Sequence, residues 1–176
     1  MIRQLRLALP LALIAAAPAF AQEGAGTVTG TLDLNDARWV VAGAGADPAS
    51  TWREADGVYE IRLVATPEAG GPADSGSLTI DITAEAGATE AEVVSARVAM
   101  QGEGRNYIAE GENVDLSLTA VEPEGSDIAI AGSVVATMTP GGARGLVVET
   151  ETGRTLDGNF QATVPARESG ADAQDG

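Results

Sequence analysis

Cysteine, histidine and lysine are absent from this chain, and aromatic residues make up only 3% of it. Without cysteine there are no disulfides, no thiolate nucleophile and no thiolate metal ligands. Without histidine a serine nucleophile lacks its usual base, and without lysine there is no amine for a Schiff base. What remains for catalysis is a pair of carboxylates working as acid and base, as in glycoside hydrolysis. The chain holds 26 acids, so a pair at a workable separation arises by chance in any fold, and no motif marks one. The residue inventory therefore points to a protein that is not an enzyme and uses no cofactor. A carboxylate-based glycoside hydrolase is the residual catalytic alternative.

Long apolar runs are scarce as well. The one candidate, from Leu7 to Ala17, follows Arg3 and Arg6 and precedes Ala19-Phe20-Ala21, with small residues at both positions that a signal peptidase reads. The run is well short of the roughly 20 residues of a membrane span, and the three-part pattern is that of a secretory signal peptide over residues 1–21. No cysteine follows it to take a lipid anchor, and no later segment is apolar enough to span. The expected product is periplasmic or secreted and begins near Gln22. Cleavage leaves eight arginines against the 26 acids, a net charge of −18. That balance repels nucleic acid and anionic lipid and favours solubility. Arginine to the exclusion of lysine, with abundant alanine and glycine, suits a GC-rich bacterial genome.

What the chain does have is two-residue periodicity. From Asp127, the residues Ile128, Ile130, Gly132, Val134, Ala136 and Met138 fall on one side of an extended strand, with Ser133 and Thr137 on the other. Pro140, Gly141 and Gly142 end it. A second strand is expected from Arg144 through Leu146, Val147 and Val148. A third runs along Leu156, Gly158, Phe160, Ala162 and Val164, against polar Asp157, Asn159 and Gln161. Short turns between consecutive strands imply an antiparallel meander with one buried face. Similar alternation predicts strands at Val28–Leu34, Val58–Thr66, Ser77–Ala84, around Tyr107–Ala109, and from Val114 to Ala120. Glu90–Gln101 has the alanine and glutamate content of a short helix, but Val93, Val94 and Val98 favour a strand.

The run through Leu32 and Leu34 meets Asn35-Asp36 before Trp39, which predicts a hairpin turning at Asn35-Asp36, since both residues tolerate positive φ. Asp33, Asn35 and Asp36 also offer oxygens to calcium. The spacing lacks the glycine and distal bidentate glutamate of a calcium hand, so a plain turn is the main reading and a calcium-stabilised domain the alternative. Gly43–Gly57 is a loop by composition and holds Trp52 and Arg53; the glycine-rich stretch Gln101–Asn113 holds Arg105 and Tyr107. An aromatic beside charged groups in a loop is a candidate for recognising a sugar or peptide. The other reading of Trp52 is a lid folded back on the sheet edge.

About nine or ten short strands with almost no helix argue for an all-β domain over residues 22–165: an antiparallel two-sheet sandwich or a small closed barrel. Residues 166–176 form a short acidic tail, expected to be disordered. The function this supports is an envelope binding or interaction module for a protein or glycan partner, with Trp52, Arg53, Arg105 and Tyr107 as candidate ligand contacts. A structural or self-associating envelope domain is the other non-catalytic alternative.

The pattern Ile130-Ala-Gly-Ser-Val-Val-Ala, then Gly145-Leu-Val-Val, then Gly158-Asn-Phe-Gln-Ala-Thr-Val-Pro165 resembles the C-terminal hairpins of uncharacterised exported bacterial β-sandwich families. The opening from Gly30 to Trp39 is similar to their first hairpin. The resemblance covers about a third of the chain, with Val134 standing where those families place an aromatic. It implies fold and export, and carries no activity across.

Overall fold

The computed structural model describes residues 25–70, 75–87, 91–102, 104–141 and 153–167. The expected leader, the strand expected near Arg144–Val148 and the tail after Arg167 lie outside them. Among these residues ten strands are formed: β1 (Gly26–Leu32), β2 (Asn35–Val41), β3 (Thr51–Ala55), β4 (Val58–Pro67), β5 (Ser77–Glu85), β6 (Glu92–Gly102), β7 (Arg105–Glu110), β8 (Val114–Glu124), β9 (Asp127–Pro140) and β10 (Arg154–Pro165). A single 3-10 turn, Gly111–Asn113, joins β7 to β8. All strand pairs are antiparallel, and no α-helix occurs among the described residues. The segment balanced between helix and strand is β6.

The alternation read from the sequence sets which side chains are buried. Along β9 the buried positions are Ile128, Ile130, Gly132, Val134, Ala136 and Met138; along β10 they alternate from Arg154 to Val164. Ile80, Ile82, Val98, Leu63, Trp39 and Val28 complete a core with almost no solvent exposure. Removing each such side chain from water contributes about 1.5–3 kcal/mol, which is how a chain without disulfides holds together. Val94 interrupts the alternation of β6. A bulge between Thr83 and Ala84 pairs Ser95 and Val93 with successive residues of β5, so Val94 is left over and turns outward, 58% exposed.

Three expectations about connections are corrected. The first hairpin turns at Asp33-Leu34, with φ of 52° and 68°, two residues before the expected turn; Asn35 and Asp36 already pair with Leu32 and Thr31. The outer two strands of the expected three-strand meander are neighbours, not separated by the middle one. β9 and β10 pair directly, from Arg154 with Met138 to Pro165 with Asp127. The stretch holding Trp52 is strand β3, not loop, closed onto β4 by a hairpin turn at Asp56-Gly57 with φ of 53° and 80°.

The strand order is β10-β1-β2-β4-β5-β6-β7-β9-β8, with β10 also paired to β9, so the pairings form a circuit of eight strands from which β3 and β8 stand aside. The circuit can be walked residue by residue. Ile130 pairs with Ala162, Ala162 with Gly26, Gly26 with Val41, Val41 with Ala65, Ala65 with Leu78, Leu78 with Met100, Met100 with Tyr107, and Tyr107 with Pro140. The walk returns to β9 ten residues from its start. Two joints are narrow: β2 meets β4 over three residue pairs and β7 meets β9 over two. In each case another strand takes over the same edge. β3 follows β2 along β4, and β8 follows β7 along β9. At that end of the circuit the sheet is splayed in that no ladder joins β6 to β8 among the described residues.

Glycine makes the tight curvature at two places. Gly30 and Gly158 face each other across β1 and β10, and a Cβ on Gly30 would run into the backbone of Asp157 and lie 2.5 Å from the Gly158 Cα. Gly132 faces Phe160, whose ring covers it; a Cβ there would lie 2.6 Å from Phe160 Cζ and collide with the Ser117 carbonyl. Gly30, Gly132 and Gly158 thus mark close approaches of neighbouring strands.

Candidate functional site: an outer-face groove

Because β2 and β3 lie along one edge of β4, the chain between them must leave that edge and return to it. Ala42 N–H donates to the Val64 carbonyl at 2.7 Å, and Ser50 N–H donates to the Ala42 carbonyl at 3.3 Å, closing the neck of a loop. Ser50 is fully buried. Its hydroxyl accepts from Val64 N–H at 2.9 Å and donates to the Val64 carbonyl at 3.2 Å. The loop is thereby held out from the sheet as a wall, the compact form expected of an Ω-loop.

Beneath this wall lies a groove of about 790 Å³ on the outer face of β4, β5, β6 and β7. Its floor is made by residues alternating with the core set: Val64 and Thr66 of β4, Ser77 and Thr79 of β5, Ala99 and Gln101 of β6, Asn106 and Ile108 of β7. Hydroxyls and amides thus stand among three aliphatic side chains. One end is bounded by direct cross-strand ion pairs. Arg62 Nε stands 3.6 Å from Asp81 Oδ1, Arg97 Nη1 3.6 Å from Asp81 Oδ2, and Arg97 Nε 3.8 Å from Glu110 Oε2. Each pair joins residues directly opposite in neighbouring strands. All are partly exposed, so each adds a few tenths of a kcal/mol to about 1 kcal/mol. Their larger effect is to hold two guanidinium groups in place at the rim. Asp47 is the one carboxylate among the lining residues, so the paired carboxylates of glycoside hydrolysis do not meet there. The groove is equipped to hydrogen-bond a polar partner.

The residues singled out from the sequence fall elsewhere. Trp52 sits in β3 with its indole N–H donating to the Ser126 carbonyl at 3.1 Å and its ring 6.2 Å from that of Tyr59, packed on the core. This is the lid-like placement. Arg53 is held by Glu60 through two bonds of 2.6 Å. Tyr107 is buried, 8% exposed, with the Arg154 guanidinium carbon 5.8 Å from its ring centre. Arg105 is exposed at the start of β7. Trp52 touches the turn that precedes β9, whereas Tyr107 pairs with Pro140 at the far end of that strand; the structure does not bring the two rings together. Asp33 Oδ2 accepts from Arg154 Nε at 2.6 Å and Oδ1 accepts from Thr155 N–H at 2.8 Å, while the Asn35 amide donates to the Asp33 carbonyl. Asp33 and Asn35 thus bond within and beside the turn, Asp36 pairs with Thr31 in the β1–β2 ladder, and among the described residues no group of three or more acids could hold a metal ion.

No family model, curated protein or solved structure matches the chain. Among the described residues, no helix is long and apolar enough to cross a membrane. The start of the expected tail is docked: Ala166 N–H donates to the Ser126 carbonyl and Arg167 N–H to the Trp52 carbonyl.

Ser50, Val64, Thr79, Ala99, Arg62, Arg97 and Asn106 were not marked by the sequence. The threonines, alanine and arginines are legible only as the wet half of alternating strands. A buried serine at a loop neck leaves no local pattern.

Proposed function

We propose that this is an exported, non-catalytic binding module of the periplasm or extracellular space, which takes a protein or glycan partner in the groove beneath the Ala42–Ser50 loop. The export half rests on the leader pattern of residues 1–21. The binding half rests on one observation: a preformed groove of about 790 Å³, within the range of small-ligand sites, with convergent hydroxyl, amide and guanidinium groups and a wall pinned by a buried serine. On this reading the scaffold is a small closed barrel with one splayed corner rather than a two-sheet sandwich. Eight strands and a ten-residue stagger correspond to strands tilted by about 40°, inside the range of small barrels.

The test is a screen of the mature protein against glycans and envelope peptides, repeated with Ala99→Trp, which fills the groove from its floor and leaves the core side of β6 untouched. Saturable binding by the wild type, lost in the variant at an unchanged melting temperature, is the expected result. Absence of any saturable ligand, or equal binding by the variant, overturns the reading.

A further inference from the structure

We propose that the splayed corner between β6 and β8 is a second interaction surface, and that it takes an extended, cationic segment of a partner protein as an added strand on β8. Among the described residues β8 pairs with β9 alone, and the Glu92–Ala96 part of β6 pairs with β5 alone, since β7 joins β6 only from Arg97 onward. Two neighbouring strands thus each keep an unpaired backbone edge, the feature used in strand addition. Beside the β8 edge lies a cleft of about 240 Å³ lined by Tyr59 of β4, Ala91 ahead of β6, and Leu118 and Val121 of β8. Val114 and Leu116 are half-buried on β8, and Val94 is exposed across the gap.

Charge chooses the occupant. From Asn106 to Ala143 the chain has no cationic residue, yet it carries Glu110, Glu112, Asp115, Glu122 and Glu124 on or beside β8; Glu85 and Glu92 stand on the β5–β6 side. A second copy would bring the same acids against themselves and be repelled, while a strand with lysine or arginine at alternate positions would meet them and lay its aliphatic residues toward Leu116 and Val121. This surface lies apart from the groove under the loop.

The probe is a nine-residue peptide alternating lysine and valine, with a glutamate-for-lysine peptide as control, followed by amide exchange and chemical-shift mapping of the whole protein. The lysine peptide should slow exchange of alternate amides between Val114 and Glu122 at least tenfold and bind less tightly as salt shortens the screening length. The exposed triple variant Asp115→Arg, Glu122→Arg, Glu124→Arg should keep its melting curve and lose binding at least tenfold, and Ala99→Trp should bind as wild type. No protection on β8, equal binding of the glutamate peptide, or a dimer that protects β8 without peptide would each overturn the proposal.

Discussion

Arg154 and Asp33 lie 121 positions apart in the chain, and Arg154 Nε donates to Asp33 Oδ2 at 2.6 Å. The pair ties the tip of the first hairpin to the start of the last strand. The two partners are not equally placed: the Arg154 side chain is 10% exposed and that of Asp33 37%. Removing the carboxylate takes a 2.6 Å ion-pair partner from a mostly buried cation, whereas removing the guanidinium leaves a carboxylate that water can reach. Asp33→Asn, which keeps an acceptor for Thr155 N–H, should therefore cost about 2 kcal/mol, and Arg154→Met about 1 kcal/mol. The double variant should cost less than the two together. Urea denaturation of the four proteins reads this directly; a larger loss in Arg154→Met would show that the arginine stabilises the fold mainly through contacts other than Asp33.

The same bonds bear on calcium. With both Asp33 oxygens already accepting bonds from Arg154 and Thr155, an ion at the first turn would compete with those bonds for the carboxylate. Neither excess calcium nor a chelator should move the melting temperature of the mature protein by more than about 1 °C, because a ligand stabilises only as it occupies the folded state. A rise that saturates with calcium would restore the metal reading of Asp33, Asn35 and Asp36.

Strand faces were legible because one-sided burial repeats every second residue. Ile128–Met138 and Leu156–Val164 needed no tertiary information, since a slip of one residue would bury Asp157, Asn159 and Gln161. What could not be read is set by pairing between distant segments. That β2 and β3 share an edge of β4, and so throw a loop over the outer face, depends on the β2–β4 register, from Val41 with Ala65 to Trp39 with Pro67. The groove exists only because of it. Trp52 looked like a loop residue by composition, and became a strand residue because β4 offered an unoccupied edge. The first turn was misplaced because Asn and Asp tolerate positive φ better than leucine does, and the structure puts Leu34 there nonetheless.

Leu34 is correspondingly the place to gain stability. It has φ of 68° and is 95% exposed, so it has the steric cost of the left-handed region, roughly 1–2 kcal/mol for a side-chain-bearing residue, with no burial to offset it. Leu34→Gly removes that cost and gives back part of it through the greater freedom of the unfolded chain. Leu34→Gly and Leu34→Asn should each raise unfolding free energy by about 0.5–1 kcal/mol, measured by urea denaturation. A loss in both would mean that leucine makes compensating contacts at the tip.

Ser50→Ala tests how the groove is built. The variant keeps the side-chain carbon but removes the hydroxyl that bonds Val64 at both its N–H and its carbonyl. The Val64 N–H is left without that partner at a neck closed to solvent, a cost of about 1–3 kcal/mol. Because the loop wall hangs from that neck, the damage should be local as well as global. Amide exchange at Val64 and Ser50 should accelerate beyond what the drop in overall stability explains, and any groove ligand should bind more weakly in proportion to the loosened wall. The neighbouring variant Thr51→Ala, on the β3 side of the neck and without a comparable bond among the described contacts, provides the contrast: its exchange should follow global stability alone. Equal behaviour of the two variants would show that the loop is held by its own packing and that Ser50 does not set the groove.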